Sequence, residues 1–193
     1  MRALTFDIES ISNSAVRGHV DVNEQELIVV GVHDSLTDTY TSYDREDLPR
    51  LWPIIENADL LIGFNSDSFD IPLLNRYYPG NLLHIRSLDL LSEVQKVLGR
   101  RIRLQSLAEA TLGKGKSGDG LKAGEWWREG KKEQVRKYCI EDVRLTRELY
   151  DYALKNGVLK YKDLRDIRDI KLDTSGWNDT ISSLPTLTHA FQL

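Results

Sequence analysis

Apolar and polar positions alternate from Arg2 to Ile8 (RALTFDI). This predicts a strand with Leu4, Phe6 and Ile8 on one face and Thr5, Asp7 and Glu9 on the other. Residues 26–34 (ELIVVGVHD) and 38–43 (DTYTSY) predict two more strands, joined by a tight turn around Ser35–Thr37. From Glu46 to Asn57 the period lengthens, and Leu48, Leu51, Trp52 and Ile55 share one helix face. Asp44 is placed to cap that helix, and Asp47 complements its first-turn dipole. The run 59–64 (DLLIGF) does not alternate, as expected of a buried parallel strand. Asn65–Ser68 then form a loop. Ser68 is placed to cap a helix reaching about Tyr78, with Pro72 tolerated in its first turn. Further along, the pattern predicts a short strand at 83–86, helices at Leu88–Leu98 and Leu104–Leu112, and a loop at 113–120. A long helix from Lys132 to Asn156 follows, ended by Gly157. Weaker strands are expected at Val158–Tyr161 and Ile167–Leu172. An antiparallel start followed by alternating strand and helix is an α/β layout, a mixed sheet covered by helices.

Composition narrows the setting. A chain of 193 residues is one domain, read as 1–157 with an extension, 158–193, packed on it. Cys139 is the single cysteine, so no intramolecular disulfide forms and a reducing, cytoplasmic setting is expected. No apolar run is long enough to span a membrane, and MRALTFDIES lacks a signal-peptide core. The sequon at Asn178 is then coincidental. The net charge of −4 argues mildly against a nucleic-acid partner. Its distribution does not, because residues 96–147 hold 14 Lys/Arg against 7 Asp/Glu. That stretch is either an electrostatic footprint or a solvated helical surface.

Several carboxylates sit where the pattern makes them costly. Asp7 and Glu9 share a strand face and repel each other, unless the strand ends at Asp7 and both are wet. Asp142 lies beside the stripe Val135, Cys139, Val143, Thr146, Leu149 and Ala153, with Tyr138 one turn before it. Arg136 or Arg144 would be its ordinary partner. Asp70 follows the buried strand 59–64 and could serve simply as a first-turn dipole partner. Taken together, the four acids can converge at one edge of one sheet. A carboxylate cluster without His or Cys partners suits hard ions, Mg²⁺ or Mn²⁺. Two such ions are the arrangement for in-line phosphodiester hydrolysis.

The motifs carry a resemblance. Phe6-Asp7-Ile8-Glu9 resembles the first motif of the DEDD 3′–5′ exonucleases. Gly63-Phe64-Asn65-Ser66-Asp67-Ser68-Phe69-Asp70 is similar to the second, in the Asn-x-x-x-Phe-Asp form of family B DNA polymerase proofreading domains. Tyr138-Cys139-Ile140-Glu141-Asp142 resembles the third in its tyrosine form, which points to the DEDDy subclass. Lys116–Leu121 with Trp126 resembles stand-alone exonucleases of this group. The resemblance covers about residues 2–155. It implies a ribonuclease H-like α/β fold, with a five-stranded mixed sheet, strand two antiparallel to the rest, and helices on both faces.

The resemblance also implies roles. Asp7, Glu9 and Asp142 would ligate one metal ion. Asp7 would bridge to a second, supported by Asp70, and Tyr138 would orient the attacking water. Asn65 and Phe69 match positions that contact the terminal nucleotide, although Phe69 equally suits core packing. Lys116 and the cations Arg100, Arg101, Arg103, Lys114, Lys122, Lys131 and Lys132 would track phosphates. Trp126 or Trp127 would stack a base, the other being core, because neighbours on a helix do not both face inward. The expected activity is removal of nucleoside 5′-monophosphates from the 3′ end of single-stranded nucleic acid, DNA before RNA. The alternative is a non-catalytic module that binds nucleic acid or docks on a polymerase or helicase. Gly115-Lys116-Ser117 hints at a P-loop, but Ala110 stands where that motif needs glycine. A phosphatase reading would leave Tyr138 and Asp142 unexplained.

Overall fold

The computed structural model describes residues 1–12, 21–115 and 121–179. Five strands form one sheet: β1 (Ala3–Ser12), β2 (Gln25–Asp34), β3 (Thr39–Asp44), β4 (Leu60–Gly63) and β5 (Ser87–Asp89), in the order β3-β2-β1-β4-β5. β2 runs antiparallel to β1 and β3, whereas β1, β4 and β5 are mutually parallel. The fold is therefore the expected ribonuclease H-like α/β arrangement. β1 is longer than the alternation indicated and does not stop at Asp7. It continues to Ser12 through a register shift between Glu9 and Ser10. Asp7 and Glu9 are thus held inside a paired, central strand.

The two faces of β1 divide as the alternation requires. Leu4, Phe6 and Ile8 enter a core with α1 (Leu48–Glu56) and α2 (Asp70–Asn75). The opposite face is covered by α3 (Leu90–Leu98), α4 (Leu104–Leu112), α5 (Leu121–Arg128) and α6 (Lys132–Asn156). Every residue of the stripe in α6 is buried. Gly157, in the left-handed conformation at φ 67°, ends that helix as expected. Close packing of α6 depends on Gly31 of β2. A Cβ there would lie 2.9 Å from Cys139 Sγ and 3.0 Å from Val143 Cγ2.

Several local expectations are corrected. The short strand is 87–89, not 83–86, where a 3-10 turn covers Leu82–His84. Asp44 makes no capping hydrogen bond, because its carboxylate is held by Arg136 at 2.6 and 2.9 Å. Arg136 is thereby committed to Asp44 and Glu133. Ser68 does not cap α2 either. Its hydroxyl donates to Asn65 Oδ1 at 2.8 Å, and α2 ends at Asn75.

The strands β6 (Val158–Asp163) and β7 (Asp166–Lys171) form a separate hairpin. Leu159, Ile170, Leu172 and Trp177 join the core beneath α3, α4 and α6. Trp177 stacks on Tyr150 at 5.7 Å, and Arg86 donates to the carbonyls of Gly176 and Asp179. Among the described residues, no helix is long and apolar enough to cross a membrane.

Candidate active site

Four carboxylates gather around the middle of β1, beyond the carboxyl end of β4. Asp7 is half-buried, whereas Glu9, Asp70 and Asp142 are buried. Asp70 comes from the first turn of α2. Its Oδ1 accepts the Ile8 N–H at 3.1 Å, a group lying between Asp7 and Glu9 on the chain. Asp142 of α6 lines the same cleft as Asp7. Asp7, Glu9 and Cys139 each place a ligand-type atom within 4.8 Å of the others.

Electrostatics reflect this crowding. Burial pushes the Asp70 carboxyl up to about 7. The Ile8 hydrogen bond opposes that rise, and the charges of Asp89 and Asp142 add to it. Burial also raises the Cys139 thiol well above its ordinary value, reinforced by Asp7, Glu9 and Asp142. The neutral thiol lies 3.4 Å from the Asp7 carbonyl oxygen and 3.8 Å from Asp7 Oδ2. A protonated sulfur is a poor metal ligand, because the thiolate is the binding form. The effective donors are carboxylate oxygens, which suit hard divalent cations such as Mg²⁺ or Mn²⁺. The residues present therefore fit such ions.

Tyr138 is buried one helical turn before Asp142, with its ring edge-on to Trp126 at 5.9 Å. Trp126 and Trp127 are both half-buried and border the same cluster, so the expected division into one core and one exposed ring does not hold. The short helix α5 meets α6 and β1 at a corner, which lets two adjacent rings touch one core. Phe69 packs against the core under α1 and α2, as its packing alternative requires.

An open cleft of about 530 Å³ leads from Asp7 and Asp142. Its apolar wall is Phe64, Leu91, Ile102 and Leu104; its polar wall is Asn65, Arg101 and Arg103. Arg101 donates to Asn65 Oδ1. The other cations are mostly engaged elsewhere. Lys114 pairs with Glu148 and Lys131 with Glu129, while Lys132 lies over Trp127 and Arg100 over Tyr161. Among the described residues, the cations that line the cleft with Asp7 and Asp142 are Arg101 and Arg103. Lys116 lies outside the described residues, as does the side chain of Lys122.

Two residues of this region escaped the motif reading. Cys139 was legible only as part of the apolar stripe. Asp89, 4% exposed, lies outside the three motifs, although an acid directly before an apolar helix is a capping signal.

Comparison with known proteins agrees with this architecture. The family model RNase_H_2, described as RNase_H superfamily, matches residues 4–154. The family B DNA polymerase from the hyperthermophilic archaeon Pyrobaculum calidifontis is a structural relative, with a TM-score of 0.62 at 21% identity. The match covers 79% of this chain and 24% of the polymerase chain, so this chain spans about a quarter of that protein's length. No curated protein sequence matches significantly.

Proposed function

The chain belongs to the RNase H superfamily, and from that premise we propose that it is a metal-dependent 3′–5′ exonuclease of the DEDDy type. Its substrate is the 3′ end of single-stranded nucleic acid, DNA in preference to RNA, and its products are nucleoside 5′-monophosphates. The observation that carries this reading is a cleft lined by Asp7, Asp142, Arg101 and Arg103, with Glu9 beside Asp7 and Asp70 bonded to the Ile8 N–H between them. We read 1–157 as the catalytic unit and 158–193 as an extension on it, a division favoured by the separate β6–β7 hairpin. The single buried thiol suits a reducing, cytoplasmic setting.

In this reading Asp7, Glu9 and Asp142 hold one divalent ion, and Asp7 and Asp70 a second. Bound there, the ions supply an activated water near neutral pH and neutralise charge at the scissile phosphate. The chain's own side chains do the positioning. Tyr138, on α6 with its ring edge-on to Trp126 of α5, orients the attacking water through its hydroxyl. Arg101 and Arg103 meet the negative backbone, and the apolar wall accepts a base without reading its edge. An open cleft of this size takes a frayed end more readily than a paired duplex.

The test follows 5′-labelled single-stranded DNA and RNA of equal sequence with Mg²⁺, Mn²⁺ or EDTA, alongside Asp142→Asn. A ladder shortening from the 3′ end, lost in EDTA and in the variant, is expected. Binding of either strand without cleavage would overturn the enzyme reading in favour of a non-catalytic module.

A further inference from the structure

We propose that Asp89 is a positioning residue for strand recognition, holding the 64–69 turn so that Asn65 and Arg101 face the cleft. The ligand class, a single-stranded nucleic-acid backbone, rests on the nuclease reading above.

The argument starts from what a helix cap needs. Asp89 is the N-cap of α3, and its Oδ1 accepts the Leu91 N–H at 2.9 Å and the Ser92 N–H at 3.4 Å. Capping is complete with those bonds. Yet Oδ1 also accepts the Asn65 N–H at 2.7 Å, and Oδ2 accepts the Asp67 N–H at 3.3 Å. One buried carboxylate therefore joins two segments that are more than twenty residues apart in sequence. The register explains the reach. Gly63 of β4 lies opposite Asp89 of β5, so the turn leaving β4 passes over the end of β5.

The turn needs such a clamp. Asn65 has φ 69°, a left-handed conformation that L residues adopt at a cost, asparagine less than most. Gly63 has no room for a side chain, since a Cβ would meet Ser66 at 2.4 Å. Ser87 adds a second tie from β5 by donating to Asp67 Oδ1 at 2.7 Å. Held in this shape, Asn65 presents Oδ1 to the Arg101 guanidinium, and both side chains line the cleft with Asp7 and Asp142. Asp89 thus acts on the strand through Asn65 and Arg101, without touching it.

Asp89→Ser separates the two roles. A serine hydroxyl caps α3 but, with one oxygen on a shorter side chain, does not also bridge to both Asn65 and Asp67. Strand affinity is read by fluorescence anisotropy of a labelled oligonucleotide in EDTA, and KM, kcat and Mg²⁺ half-saturation by cleavage. In the variant, Kd and KM should rise about 10- to 100-fold, the scale of losing charge-assisted hydrogen bonds that hold the binding groups. The change in kcat and in Mg²⁺ half-saturation should stay below about threefold. Adding Arg101→Ala should weaken binding little further, because both changes disable one unit. Amide hydrogen exchange across 64–69 should quicken in the variant. Unchanged Kd and unchanged exchange would overturn the proposal. So would a loss of kcat and Mg²⁺ affinity at constant KM, which would assign Asp89 to the metal centre. If Asp89→Ser does not fold, Ser87→Ala, which cuts the second tie to the turn and leaves the cap of α3 intact, takes its place with the same readouts and a smaller expected rise in Kd. Failure of the nuclease reading appears in the wild type itself, whereas failure of this proposal appears only in the variant.

Discussion

Asp70 carries the clearest titration at the level of single residues. Its folded-state value of about 7 lies above the ordinary 3.8, so the metal-free native state binds this proton more tightly than the unfolded chain does. The associated stabilisation is whole below the unfolded value and is lost as pH rises through the folded one. In EDTA, the unfolding free energy should therefore decline between pH about 4 and 7. Asp70→Asn mimics the neutral form and can still accept from the Ile8 N–H, so its profile should be flatter. Denaturant melts of both proteins across that range decide the matter, and parallel profiles would remove Asp70 as the source. Tyr138 yields a different kind of prediction. Tyr138→Phe keeps the edge-on contact with Trp126 but loses the hydroxyl, and kcat should drop about 100-fold, the scale expected of a misplaced reactant. Near-normal single-turnover rates in that variant would mean that the ring serves packing alone.

At the level of elements, the long helix α6 was legible because its apolar stripe runs unbroken and Gly157 marks its end. How closely α6 approaches the sheet was not legible, since that depends on Gly31, in another element more than a hundred residues away. Filling the space at Gly31 pushes on Cys139 and Val143, and through them on the helix that carries Tyr138 and Asp142. Gly31→Ala should cost about 1–3 kcal/mol, as overpacking does, and should lower kcat as well. Cys139→Ala removes the nearer clashing atom, so the double variant should be less destabilised than the sum of the single ones. Thermal melts of the four proteins check this, and strict additivity would show that the contact is not the cause. The misplaced short strand has a similar origin. Residues 83–86 (LHIR) are more apolar than 87–89 (SLD), yet pairing with β4 selects the latter. Asp44 and Ser68 do not act as caps because other partners, the remote Arg136 and the nearby Asn65, engage their side chains.

Taken as a whole, the molecule gathers four acids from β1, α2 and α6 into one region. The motifs announced these acids individually, but their convergence is a property of the parallel β1–β4 pairing and of α6 crossing above it. Such a cluster opposes folding through mutual repulsion and desolvation until a divalent ion neutralises it. An ion that binds only the folded state then stabilises the whole domain, by about 2.7 kcal/mol at a concentration one hundred times its dissociation constant. Mg²⁺ or Mn²⁺ should therefore raise the melting temperature relative to EDTA, and Asp142→Asn should reduce the rise. The rise should also grow from pH 6 to 8, because the Asp70 carboxyl must lose its proton before serving as a ligand. Scanning calorimetry at both pH values, with Na⁺ at equal ionic strength as control, separates specific binding from screening. A rise of equal size in Na⁺, or one that survives Asp142→Asn undiminished, would mean that the four acids do not act as one metal centre.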